Sequence, residues 1–385
     1  MSSLSIRALA IGLLLTSGLL AACTSTAKDV FKGVDRIVAA GDLHGDYDQY
    51  IKVLTTNGLV DEQLRWQGGK THFVQLGDVV DRGPDSLRII RHLMKLEKEA
   101  KKKGGRVHVL IGNHEAMNIQ GDLRYVHPGE YSALISEGSD VLRDRYLEAV
   151  YKHQVSIDPT LAANPGPVME GLKKKFPLGY VEHRSLWEPG QEIAKWVASH
   201  NAVIRINDSL FVHGGLSPHV EPQKLSKINR RVRSEISVRF DGEGLSNSQD
   251  GPLWYRGLAS NEAEVELAPL LEMLKFYDVN RIFIAHTPTN GAILTRLDGT
   301  VIMIDVGISA HYGSSLANIV IEDGTLQVMH RGSQVPFPGD GLSIQAYLEM
   351  VSALEPLDSR LKKYVHSMDD QLAQEKEKMP QRAVN

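Results

Sequence analysis

Gly77-Asp78-Val79-Val80-Asp81-Arg82-Gly83 follows a β-rich apolar run over residues 71–76, and its reading decides the fold. Four other segments share its form, each placing Asp, Asn or His at the end of a β-like run. They are Gly41-Asp42-Leu43-His44-Gly45-Asp46, Gly112-Asn113-His114-Glu115, His213-Gly214-Gly215 and Ala285-His286-Thr287. In open α/β sheets, ligands bind beyond the carboxyl ends of the strands, so side chains far apart in sequence converge there. The flanking glycines let the backbone turn sharply and approach a ligand closely. Any one segment is weak, since Gly-Asp and Gly-Asn pairs are common turns and a lone histidine is more often a core or surface residue.

Outward from these segments, residues 34–40, 71–76 and 106–111 read as strands, and residues 46–57 and 84–103 carry apolar residues at helical spacing. Strands alternating with helices predict βαβ units. Pro84 is well placed as a first helical residue. Further strands are expected over 202–206, 209–212, 281–285, 301–305, 316–321 and 325–330, the last four without long helices between them, so the second half looks more antiparallel. Residues 116–200 are charged, contain six prolines and show mostly short helical patterns. They are expected to be an insertion or cap on a domain spanning 34–340, with 341–385 a helical charged tail.

The chain has 385 residues, 42% hydrophobic and 23% charged, the proportions of a globular protein. Its formal net charge of −4 lacks the footprint of a nucleic-acid partner. At the start, Arg7 precedes an apolar stretch too short to span a bilayer, the pattern of an export signal over residues 1–22. Leu20-Ala21-Ala22-Cys23 resembles the lipobox of bacterial lipoproteins, and Cys23 is the only cysteine. That resemblance implies a lipidated Cys23, a tether over 23–33 and a location at the periplasmic face of a membrane. Thr24, rather than an aspartate, favours the outer membrane in a Gram-negative cell.

The donor types at the five segments fit one purpose. Two ions about 3.5–4 Å apart can grip a phosphate and activate water near neutral pH. Carboxylate and amide oxygens with imidazoles suit Mn, Fe, Zn or Ni better than thiolate-loving metals.

In this order the motifs resemble the calcineurin-like metallophosphoesterases, within them the phosphoprotein phosphatase group, and there the Shewanella-like bacterial branch. Five segments in the family's order leave the common-turn reading without force. The resemblance implies a four-layer αββα sandwich of two mixed sheets and two divalent metal ions, manganese foremost. One ion would take Asp42, His44 and a bridging Asp78; the other would take Asp78, Asn113, His213 and His286. Arg82 and Arg256 would clamp phosphate, His114 would protonate the leaving oxygen, and Asp81 would hold His114 charged and oriented. Glu115 reads as structural, and His311 with Tyr312 as part of the cleft rim. His72, His92, His108, His127, His153 and His183 sit in no motif and read as ordinary core or surface residues.

The activity implied is hydrolysis of phosphomonoesters by a hydroxide shared between the ions, without a covalent phosphoenzyme, on phosphoproteins. A second substrate class stands beside it, because Gly41-Asp42-Leu43-His44-Gly45 and Asp81-Arg82-Gly83-Pro84-Asp85-Ser86-Leu87 also resemble bacterial diadenosine tetraphosphatases. An inert binding module would have lost ligands, and none is missing. The oligomeric state is left open.

Overall fold

A computed structural model describes residues 27–240, 242–338 and 341–368; the export signal, Cys23 and residues 369–385 lie outside them. Among the described residues twelve strands form in chain order: β1 (Val30–Phe31), β2 (Arg36–Ala40), β3 (His72–Gln75), β4 (Arg106–Val109), β5 (Val203–Ile206), β6 (Ser209–Val212), β7 (Arg281–Ile284), β8 (Leu294–Arg296), β9 (Val301–Met303), β10 (Ala317–Glu322), β11 (Thr325–His330) and β12 (Ser333–Pro336). They build two six-stranded sheets, ordered β1-β5-β6-β7-β9-β8 and β12-β11-β10-β2-β3-β4. Each sheet is mixed. β2, β3 and β4 run parallel, as do β6, β7 and β9, while β10, β11 and β12 pair antiparallel.

Alternation along the strands separates the layers, because successive side chains leave a strand on opposite faces. Ile204, Phe211, Phe283 and Ile302 point into the core between the sheets, and Phe211 stacks on Phe283 with centroids 4.7 Å apart. Their neighbours Val203, Leu210, Val212, Ile282, Ile284 and Val301 face outward, under the helices Leu225–Ile236 and Ala263–Tyr277. On the other sheet, the helices Tyr47–Thr56 and Ser86–Lys102 cover the opposite surface. Ile89, Ile90, Leu93, Leu96 and Ala100 make the buried stripe of the second of these. The result is a helix-sheet-sheet-helix sandwich.

Residues 116–200 are helical, as expected, although Ser139–Ile157 is one long helix rather than a short one. Leu147, Val150, Leu172 and Phe176 give this insertion a small core of its own, while Trp187, Ile193 and Val197 belong to the main core.

Two segments differ from expectation. The tether over 23–33 is not free along its second half: β1 pairs with β5, and Phe31 is buried. A helix over Ile344–Ala353 packs Tyr347, Leu348 and Val351 into the main core, and Leu361 follows it. Residues 341–368 therefore continue the domain rather than beginning a charged tail. Among the described residues, no helix is long and apolar enough to cross a membrane.

Candidate metal centre

The two parallel triplets end at one place. Asp42 and His44 follow β2, Asp78 follows β3 and Asn113 follows β4; His213, His286 and Asp305 follow β6, β7 and β9. The carboxyl ends of the two sheets thus bring all six expected ligands together, each of them buried. The loops carry uncommon backbone. His44, Asp78, Asp81, Arg82 and His286 all have φ between 45° and 70°. Such conformations cost on the order of 1–3 kcal/mol each and persist where the surroundings over-determine them.

Here the surroundings do so. Glu115 accepts hydrogen bonds from the backbone N–H groups of Asp78 (2.9 Å), Val79 (2.8 Å) and Gly112 (2.8 Å), which is the structural role read from sequence. Gln75 donates to the carbonyls of Gly41 and Gly77 and accepts from the Gly77 N–H, tying the first two loops together. Gly45 and Gly83 meet backbone to backbone, so closely that a Cβ on Gly45 would lie 2.5 Å from the Gly83 carbonyl oxygen.

Asp78 lies at the centre. Its Oδ2 is 3.9 Å from His44 Nε2, and its Oδ1 is 3.3 Å from His213 Nε2. Two sets of donor atoms share it: His44, Asp78 and His114 on one side, Asp78, His213 and His286 on the other. Asp42 Oδ2 is 3.8 Å from His44 Nε2, and Asn113 Oδ1 is 2.9 Å from His213 Nε2.

The tautomers are decided by the backbone. His44 Nδ1 donates to the Val80 carbonyl (3.0 Å) and His213 Nδ1 to the Leu76 carbonyl (2.8 Å). Rings so held turn Nε2 inward, toward Asp78. Burial pushes His44 down to about 3, the neutral form a metal ligand needs. Burial, aided by His213 and Arg256, pushes His286 down to about 2, and its buried Nε2 has no protein partner.

The carboxylates tell the same story. Burial first, then the charges of Asp305 and Asp78, hold Asp42 well above the usual carboxylate range. Burial raises Asp305 to about 6, and its Oδ2 is also buried without a partner. Burial alone would raise Asp78 too, but His213 and His114 hold it well below its ordinary value. Crowded acids and inward-facing lone pairs need cations between them, and the residues fit a dinuclear centre.

His114 stands beside this centre with its own support. Nδ1 lies 2.6 Å from Asp81 Oδ2, and Asn118 Nδ2 donates to the other Asp81 oxygen at 2.9 Å. Burial would lower His114, but Asp78 and then Asp81 outweigh it and leave it raised. With Nδ1 bonded to Asp81, His114 Nε2 faces the site, 3.7 Å from Asp78 Oδ2. Arg82 lies 3.8 Å over the Tyr125 ring, whose centroid is 5.1 Å from that of His114. The Tyr312 ring sits 5.1 Å from that of His44. Arg256 reaches the same loop as His286, donating from Nη1 to the His286 carbonyl (2.8 Å) and Thr287 Oγ1 (2.9 Å).

Sequence reading missed Asp305, Asn118 and Tyr125. Asp305 follows β9 and precedes Val306-Gly307, the same strand-end pattern as Asp42 and Asp78, so its signal was there. Asn118 lies one helical turn beyond His114 in the helix Asn113–Gln120. Tyr125 is reached only through the fold of the insertion.

A model of the calcineurin-like phosphoesterase family matches residues 35–290. Shewanella-like protein phosphatase 2 of Arabidopsis thaliana is 30% identical, the match covering 75% of this chain and 75% of that one. Shewanella-like protein phosphatase 1 of Plasmodium berghei is 26% identical, over 78% of this chain and 75% of its own length. The crystal structure of a cold-active protein-tyrosine phosphatase from a psychrophilic Shewanella species superposes with a TM-score of 0.62 at 28% identity, covering 81% of this chain and 83% of that one.

Proposed function

The chain belongs to the calcineurin-like phosphoesterase family and is a metal-dependent phosphatase, and from that premise we propose that its substrates are phosphoproteins, with phosphotyrosine foremost. The observation that carries this reading is the placing of Tyr125 and Tyr312 against His114 and His44. The two phenol rings flank the imidazoles beside which a phosphate must lie. Aromatic walls suit the ring of an aryl ester, because offset and edge-on ring pairs are favourable beyond the area they bury. The Shewanella enzyme described as a protein-tyrosine phosphatase is in keeping with it.

Asp42, His44 and Asp78 would hold one divalent ion, and Asp78, Asn113, His213 and His286 the other, with Asp305 supporting Asp42. Manganese leads among Mn, Fe, Zn and Ni, which this set of oxygens and imidazoles accommodates. Bound there, the ions supply Lewis-acid charge to the phosphate oxygens and lower the pKa of the attacking water.

The chain's own groups do the rest. Arg82 and Arg256 offer guanidinium forks that match phosphate oxygens in pairs. Tyr125 keeps the Arg82 fork from collapsing onto the acids. His114 holds a proton at Nε2 and gives it to the leaving oxygen, while Asp81 stabilises the charged ring and Asn118 fixes Asp81. No side chain accepts the phosphoryl group.

We further propose that the protein is exported and held at the periplasmic face of a membrane through lipidated Cys23, on the strength of Leu20-Ala21-Ala22-Cys23. Replacing Cys23 by Ala then moves it from the membrane fraction to the soluble one.

The substrate reading is tested with a panel of phosphotyrosine, phosphoserine and phosphothreonine peptides beside nucleotide and sugar phosphates. The highest kcat/KM is expected for phosphotyrosine. A dinucleoside polyphosphate turned over best would replace it with the nucleotide reading.

A further inference from the structure

Among the contacts of the insertion with the catalytic loops is a short helix, Pro128–Ser132. Its Glu130 is a carboxyl buried to 5% exposure, an unusual place for an acid without an ionic partner. Glu130 Oε1 accepts a 2.6 Å hydrogen bond from Ser86 Oγ, and Ser86 Oγ in turn accepts the backbone N–H of Asp81 at 3.2 Å. A hydroxyl has one proton to donate. Donation to Glu130 therefore turns the lone pairs of Ser86 toward Asp81. That N–H belongs to a residue at φ 70°, and the Asp81 carboxylate it carries is the partner of His114. A strut thus runs from Glu130 through Ser86 and Asp81 to His114.

The neighbouring contacts point the same way. A Cβ on Gly129 would lie 2.6 Å from the Pro84 side chain, so the helix is seated directly on the loop. The Arg82 N–H donates to the Tyr125 carbonyl at 3.0 Å. Burial and then the charge of Asp81 push Glu130 up to about 8, and Asp85 adds to this. His183, with its Nε2 4.0 Å from Glu130 Oε2, is kept neutral by its own burial.

We propose that Glu130 is a positioning residue of the phosphatase reaction, holding Asp81 through Ser86 so that His114 delivers its proton to the leaving oxygen. The inference rests on the reading of His114 as the acid. It makes the insertion a part of the catalytic apparatus and not merely a wall of the cleft.

The test is a series of aryl phosphates from nitrophenyl, whose leaving group needs little protonation, to unsubstituted phenyl, whose leaving group needs more. For Glu130→Ala, kcat is expected to fall roughly tenfold or more on phenyl phosphate and less than about threefold on nitrophenyl phosphate, with metal content unchanged. Glu130→Gln keeps an acceptor for Ser86 and should recover most of the loss. Equal losses along the series, or none, overturn the proposal. Should Glu130→Ala fail to fold, Ser86→Ala is measured in the same way, with the same steepening expected and a parallel line overturning it. His114→Ala run alongside separates the two readings. If it does not steepen the dependence, the acid reading fails. If it does and Glu130→Ala does not, only the role of Glu130 fails.

Discussion

Nδ1 of His114 and Oδ2 of Asp81 lie 2.6 Å apart inside the fold, and Asn118 holds the opposite oxygen of the same carboxylate. The pair is buried, so neither partner relies on water for its orientation. Replacing Asp81 by Asn keeps the shape and removes the charge that favours the protonated ring. The expected result is a fall in kcat of roughly a hundredfold on alkyl phosphates with KM nearly unchanged, the pattern of an interaction made in the transition state. Steady-state kinetics check it.

Arg82 and Tyr125 make the second pair. The guanidinium carbon lies 3.8 Å from the ring centroid, and the Arg82 Nε is buried without a partner, so the ring is what keeps the fork in place. Tyr125→Phe should retain phosphate affinity, because the stacking face remains. Tyr125→Leu should weaken competitive inhibition by orthophosphate several-fold, and Arg82→Lys should do so about tenfold, since Lys cannot grip two oxygens in a plane. Inhibition constants for orthophosphate read this directly.

Glu115 makes no contact with substrate in this account, yet it accepts three backbone N–H groups from the loops after β3 and β4. Glu115→Ala strands those donors in a buried place. Loss of about 2–3 kcal/mol of stability is expected, with reduced metal retention. Denaturant titration and metal analysis of the variant are the measurements.

Glu130 gives a pH dependence of definite sign. Its folded pKa, about 8, is raised above the value of 4.5 for an exposed Glu. Between those values the unfolded chain has already released the proton that the folded chain keeps, so this group's contribution to stability is lost as pH rises from about 4.5 to 8. Glu130→Gln has no proton to lose. The variant should gain in Tm relative to the wild type between pH 5 and pH 8, and thermal melts at both pH values decide it. A constant difference would contradict the burial argument.

Much of the sandwich was legible because its central strands are apolar on both faces and stop at Gly-Asp, Gly-Asn or His. β1, β8 and β12 were not: they are edge strands of two to four residues, β1 too short to show a pattern and β8 and β12 with Arg, Ser, Gln or Pro among their residues. The helix Ile344–Ala353 was hidden by the charge that follows it. At the site, each metal ligand named from sequence lies in the segment directly after a strand, whereas Arg256 stands before the short helix Gly257–Ser260. The partners that escaped, Ser86 with Glu130 and Arg82 with Tyr125, are joined across 44 and 43 positions, and no local pattern announces such contacts.

The central claim is that Asp78 lies between two metal ions and holds them both. Metal analysis of the purified protein, with and without Asp78→Asn, tests it most directly. The account predicts about two divalent transition-metal ions per chain in the wild type, and in the variant the loss of at least one of them together with turnover of an aryl phosphate in added manganese. Two ions retained by Asp78→Asn, with turnover close to wild type, would contradict it.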